Sequence, residues 1–254
     1  MQECQRSHAK GFRLCLFACL VLIAMPSLGI TWGHTEVPDP TDETKTCQVR
    51  TPNSYGGYIY QWPEKYDQVF WPYTDPDGIW YCEESGFISF IGDFDGMTKG
   101  ELEKIAAYLK GIDQPAGDPV STLSHLEKIY SMRKMGNRSH IHLLRVLAYR
   151  HEVLGFVKKA NSYRARALEE IEKELKGDIG ALIEIEYLFV AANYHRQSGN
   201  VKASDAYLIK LDKALGKVTD PGSVGYLEHI KSLTEKTLLI TPGGKLCPDC
   251  RHDF

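Results

Sequence analysis

From Thr98 to Leu239 the apolar residues of this chain recur at intervals of three and four, a period that only amphipathic helices packed face to face can satisfy. Thr98 stands three residues before Glu101, the spacing at which a hydroxyl and a carboxylate cap a helix reciprocally, and Leu102, Ile105, Ala106 and Leu109 then share a face. A loop is expected over 111–120, where Pro115, Gly117 and Pro119 interrupt the pattern. Further helices are predicted over 121–135, 140–154, 157–175, 179–197, 201–215 and 224–239, with stripes such as Ala160, Tyr163, Ala167, Leu168 and Ile171. Gly136, Gly155 and Gly199 stand at helix ends, where a residue free to adopt positive φ is favoured. The count is seven helices, forming a helical domain over 98–239.

Ahead of Thr98 the composition changes. Thirteen of the 27 aromatic residues fall between Tyr55 and Phe94, punctuated by Gly56-Gly57, Pro63, Pro72, Pro76 and Asp77-Gly78. Gly57-Tyr58-Ile59-Tyr60-Gln61-Trp62 and Gly78-Ile79-Trp80-Tyr81-Cys82 have strand-like content, so residues 47–97 read as a separate small module of short strands and long turns. Residues 30–46, rich in Thr, Asp and Glu and containing Pro38 and Pro40, read as a linker. The expected fold class is mainly α: a helix-hairpin stack preceded by a small irregular or β module rich in cysteine and aromatic residues.

Residues 1–29 have the pattern of a secretory signal: Arg6, Lys10 and Arg13 precede an apolar run from Leu14 to Ala24, which ends at Met25-Pro26. Eleven apolar residues cover about half of a ~30 Å hydrocarbon core as a helix, so export is expected rather than a permanent membrane span, with an uncleaved signal anchor as the alternative. Periplasmic or secreted localisation follows. The chain has 30 basic and 33 acidic residues and no basic block, which argues against a nucleic-acid partner.

The small residues of the helical region carry a resemblance. Ala148, Ala160 and Ala167 stand where paired helices of a tetratricopeptide repeat cross closely, and Ala191-Ala192, Ala203, Ala206 and Ala214 form a more degenerate second unit. A broader similarity runs from Cys47 to about Leu215. Cys47-Gln48-Val49-Arg50 and Cys82-Glu83-Glu84-Ser85-Gly86-Phe87, followed by Asp93-Phe94, resemble a bacterial family of uncharacterised function in which paired Cys-Pro-x-Cys-Gly knuckles precede tetratricopeptide-like helices. The second cysteine of each knuckle is replaced here, by Arg50 and Ser85. The resemblance implies architecture and an interaction role.

Without the signal segment the cysteines are Cys47, Cys82, Cys247 and Cys250. Three readings compete. Each knuckle remnant supplies one sulfur, so Cys47 and Cys82 would form a disulfide in an oxidising compartment. Alternatively, the tail over 240–254 folds back so that Cys247 and Cys250 complete a four-thiolate zinc site with Cys47 and Cys82. In the third, Cys247-Pro248-Asp249-Cys250 is an independent redox pair. A chain without a cofactor is the leading expectation, with zinc as the alternative.

Other motifs reduce to structure. Asp75-Pro76-Asp77-Gly78 and Asp93-Phe94-Asp95-Gly96 lack the closing Glu of a calcium loop and read as turns. His140 and His142 do not share a helical face, and Ser85 lacks the preceding glycine of a nucleophile elbow. The expected function is therefore a non-enzymatic, exported interaction or scaffold protein that binds a protein or peptide on its helical stack, with Tyr163, Arg164, Asn193 and Arg196 as the partner-binding surface. A cell-envelope glycan-binding module is the alternative, using Trp62, Trp71 and Trp80 as a stacking platform. A thiol-disulfide or zinc-dependent protein using the C-terminal Cys-x-x-Cys is the second alternative.

Overall fold

The structure is a computed structural model that describes residues 30–54, 56–112 and 118–247. The signal segment and Cys250 lie outside the described residues. Two strands, β1 (Thr31–Asp39) and β2 (Asp42–Ser54), pair as a ribbon. Its connecting turn is fixed by Asp39, whose Oδ1 accepts from the backbone N–H and hydroxyl of Thr41, each at 2.8 Å. The ribbon replaces the linker expected over 30–46. Both strands of a two-stranded ribbon are edges, so the missing N–H of Pro38 need not break a ladder, and Pro40 falls in the turn. Alternation is clean in β2, where Cys47 and Val49 point inward while Thr46, Gln48 and Arg50 are exposed.

Residues 30–32 and 52–58 belong to one compact unit, in which the hydroxyls of Thr31 and Ser54 hydrogen-bond at 2.6 Å. The remainder, 33–51 and everything from Ile59, forms the other. In this larger unit, a short helix α1 (Trp62–Asp67) stands where the last residue of an expected strand meets Pro63. Pro63 suits a first helical turn, the Glu64 carboxylate accepts from the Gln61 backbone N–H at 2.5 Å, and the helix stops at Gln68, which takes a left-handed conformation at φ 49°. Strands β3 (Ile79–Tyr81) and β4 (Ile88–Phe90) then pair antiparallel with Trp80 opposite Ser89. The first was expected from its sequence.

Seven further helices follow: α2 (Lys99–Leu109), α3 (Pro119–Ser131), α4 (Asn137–Val153), α5 (Val157–Glu174), α6 (Ala181–Gln197), α7 (Val201–Leu215) and α8 (Val224–Thr237). Thr98 and Glu101 cap α2 reciprocally, as their spacing requires. The dominant packing is within two hairpins, α4 with α5 and α6 with α7. Each turns on the same device. Gly155 and Gly199 have φ of +83° and +87°, and in both places the next residue's N–H reaches back to close the helix end: Phe156 to the His151 carbonyl and Asn200 to the His195 carbonyl, each at 2.8 Å. The crossing alanines Ala148, Ala160 and Ala167 are fully buried. Among the described residues, no helix is long and apolar enough to cross a membrane.

The β3–β4 hairpin is tied to the helices by polar side chains. Asp93 takes a bidentate pair from Arg133, with both contacts at 2.8 Å, and a bond from the Tyr130 hydroxyl. His125 bridges the Gly86 carbonyl and Tyr108 through its two ring nitrogens.

Candidate functional site

Arg164 lies four residues after Ala160 and three before Ala167, so the helical period places it on the buried stripe of α5, where it is 1% exposed. A guanidinium in that position needs carboxylates. It has two: Asp67 at the end of α1 is held bidentately, with Nε to Oδ1 at 3.0 Å and Nη2 to Oδ2 at 2.9 Å, and Glu152 on α4 accepts from Nη1 at 2.6 Å. Burial alone would lower the Arg164 pKa, but the two carboxylates hold it above its ordinary value. Burial raises the Glu152 carboxyl despite the neighbouring arginine.

The same face of the helical stack grips α1 through its backbone. Arg145 on α4 donates from Nε to the Asp67 carbonyl at 2.6 Å and from Nη2 to the Gln68 carbonyl at 2.5 Å, while its Nη1 pairs with Glu186 at 2.6 Å. The left-handed turn at Gln68 leaves both carbonyls to a single guanidinium. Asn193 on α6 donates to the Tyr66 carbonyl at 3.1 Å and accepts from Thr237 of α8 at 2.7 Å. Tyr149 donates to Glu64 at 2.8 Å, and Arg150 reaches the Thr74 carbonyl at 3.0 Å. The tail after α8 closes the other side. Leu246 is fully buried and its N–H donates to the second oxygen of Glu152 at 3.0 Å, while Gln197 exchanges hydrogen bonds with Gly243 and Gly244.

The four residues expected to form a partner-binding surface are therefore not one. Arg164 and Asn193 are spent on α1 of the same chain. Tyr163 is 3% exposed, stacked on His151 with ring centroids 5.3 Å apart, and donates to Glu127 at 2.5 Å. Arg196 is 9% exposed and pairs with Asp205. All four lie on inward faces because they share the helical register of the apolar stripes. Asp67 and Glu152, which pair with Arg164, and Arg145 and Glu64 beside them were not singled out from the sequence; the signal that marks Arg145 and Glu152 is a charged residue in phase with buried Ala148, and nothing comparable marks Asp67 or Glu64.

The tryptophans do not form an open platform. Trp62 stacks on Tyr66 and carries the Lys236 ammonium 3.6 Å and that of Lys65 4.1 Å from its ring centroid. Trp80 is buried edge-to-face against Phe94 and donates from its indole to the Arg50 carbonyl at 2.7 Å. Trp71 is half-buried.

Cys47 and Cys82 form a disulfide with S–S 2.02 Å, joining β2 to the end of β3. Asp39 Oδ2 lies 3.1 Å from Cys82 Sγ, and since that sulfur carries no proton the contact is not a hydrogen bond. Asp39, Cys47 and Cys82 bring their ligand atoms within 4.8 Å of one another. Cys247 is also disulfide-bonded, so three of the four sulfurs expected at the alternative zinc site are joined in S–S bonds in this structure, and the fourth, Cys250, lies outside the described residues. No protein-family profile, curated protein or solved structure matches this chain.

Proposed function

We propose that this chain is an exported scaffold or protein-interaction protein, a stack of tetratricopeptide-like helix hairpins whose inner face is closed by its own acidic helix. The observation that carries this reading is the clasp of α1. Arg145, Arg164 and Asn193 recognise three consecutive backbone carbonyls and a carboxylate of a short helical peptide, which is how a helical stack binds a ligand segment in trans. Here the ligand is covalently attached, so the inner face is already filled and partner contacts fall to the exposed faces. The clasp itself does not favour catalysis. Asp67, Glu152 and Arg164 are sealed from solvent and committed to ion pairs with one another.

The test is cross-linking in the native compartment, with a photoreactive residue placed in turn at exposed positions such as Lys158, Lys202 and Lys210. A discrete adduct with one and the same protein from neighbouring positions is expected. Recovery of the chain without any protein adduct at all positions would overturn the reading.

A further inference from the structure

A cleft of about 550 Å³ opens where the C-terminal ends of α5 and α7 approach the first turns of α6. Its floor is apolar, with Leu188 and Ala214 buried, and its rim carries four exposed lysines: Lys176, Lys210, Lys213 and Lys217. None of the four is in an ion pair among the described residues. Of the two acidic residues in the lining, Glu172 is tied by His195 at 2.8 Å and by the Tyr207 hydroxyl at 3.2 Å, which leaves Glu184 as the one exposed carboxylate. The lining thus carries four lysines against two glutamates, a cationic excess in a chain whose net charge is −3. The volume lies within the range of ordinary ligand pockets.

We propose that this cleft docks an acidic segment of a partner protein, with one apolar side chain of that segment seated on Leu188 and Ala214 and its carboxylates distributed over the four lysines. The inference deepens the scaffold reading and rests on it. An acidic peptide fits better than a nucleic acid, because the floor offers apolar surface, the cationic area is confined to one cleft, and the acidic remainder of the chain repels an extended polyanion. Lysines at helix C-termini also complement the helix dipole, and that role alone would leave binding unaffected by their reversal.

Fluorescence anisotropy of a labelled Glu/Leu peptide against the full oxidised chain tests it, beside a Glu/Gly peptide, a Lys/Leu peptide and a DNA duplex of similar length. Saturable binding of the Glu/Leu peptide is expected, weakened by salt, with the Glu/Gly and Lys/Leu peptides weaker. K210E/K213E should reduce affinity about tenfold or more, and K210Q/K213Q by less, with both variants keeping the wild-type helix content and a cooperative unfolding transition. Absence of saturable binding, an affinity indifferent to K210E/K213E, or tighter binding of the duplex would overturn the proposal. Repeating the native-compartment cross-linking with K210E/K213E separates the two readings. A protein adduct that persists in the variant removes the cleft and leaves the scaffold, whereas no adduct even with wild type removes the scaffold.

Discussion

Arg164→Met is the most informative single change, because the guanidinium sits between two carboxylates that are themselves out of water. Its loss leaves Asp67 and Glu152 facing one another with no cation, both almost fully buried. Breaking a buried pair by removing one partner costs on the order of 3–5 kcal/mol, and here two acceptors are stranded, so the upper end is expected. For a domain of this size each kcal/mol lowers Tm by about 2–4 °C, which puts the shift at roughly 10 °C or more. Asp67→Asn keeps the shape and leaves the Arg164–Glu152 pair intact, so it should cost less, about 1.5–3 kcal/mol for weakened charge-assisted bonds. The double variant removes one of the stranded carboxylates and should be more stable than the sum of the two single losses predicts, by at least roughly 1 kcal/mol. The deficit also has a pH signature. Stranded carboxylates in the folded state have raised pKa values, so folded Arg164→Met binds more protons than its unfolded form and its stability falls as pH rises. The penalty should therefore be larger at pH 7 than at pH 5. Urea denaturation of the oxidised variants, followed by circular dichroism at both pH values, measures all of this. A cost for Arg164→Met below about 1 kcal/mol, strict additivity, or a penalty that grows on acidification would refute the clasp as the element that docks α1.

Three further outcomes are expected. His142 is half-buried and His151 fully buried, and burial holds both pKa values down at about 4. Unfolded imidazoles titrate near 6.5, so stability should be insensitive to these groups above that pH and fall between 6.5 and 4 by up to about 1.4 kcal/mol per pH unit for each histidine; His151→Phe, which keeps a ring against Tyr163, should shallow the slope of urea midpoint against pH. Replacing Cys47 and Cys82 by serine opens a loop of 35 residues and should cost roughly 4 kcal/mol, while the wild-type chain should show no thiol reactivity at Cys47, Cys82 or Cys247 in thiol mapping by mass spectrometry. Truncation after Thr241 removes buried Leu246 and the donor to Glu152, about 4 kcal/mol together, and should expose the helical region to limited proteolysis that spares the intact chain.

Helix order was legible, and so were the boundaries at which periodicity and punctuation agree; Gly136, expected to close a helix over 121–135, instead precedes α4 with φ −71°, and α3 runs from Pro119 to Ser131. Thr98 with Glu101 starts α2, Gly155 and Gly199 close α4 and α6, and the crossing alanines are buried where the helical stripe puts them. Two elements were not. The β1–β2 ribbon reads as a linker because its Thr, Glu and Pro content suits a solvated edge as well as it suits a loop, and the Cys47–Cys82 bond and the Trp80–Arg50 contact that anchor it are long-range. Helix α1 has six residues, too few to announce a period, and its aromatic content suggests a strand; it is fixed by Arg145, Tyr149, Arg164 and Asn193 from more than 70 residues away. Arg164 and Asn193 were recognised as binding residues and placed on the wrong side. The register of Arg164 with Ala160 and Ala167, and of Asn193 with Phe189 and Val190, assigned them inward, and inward charge or amide implies an occupant in the same chain.

The reach of the contacts around Arg164 sets a schedule for biogenesis. Asp67 precedes it by 97 residues, and the amide that completes Glu152 comes from Leu246, 94 residues beyond that carboxylate. A nascent chain that has reached α5 has the arginine but not the tail, and one that has passed α6 still lacks the tail that shields the ion pair from water. Such long-range closure is slow, so the cluster around Arg164 is complete only once synthesis has passed residue 246. Under the export proposed above, that order would leave the pairing of Arg164, Glu152 and Leu246 to the far side of the membrane, with Leu246 the last group to arrive.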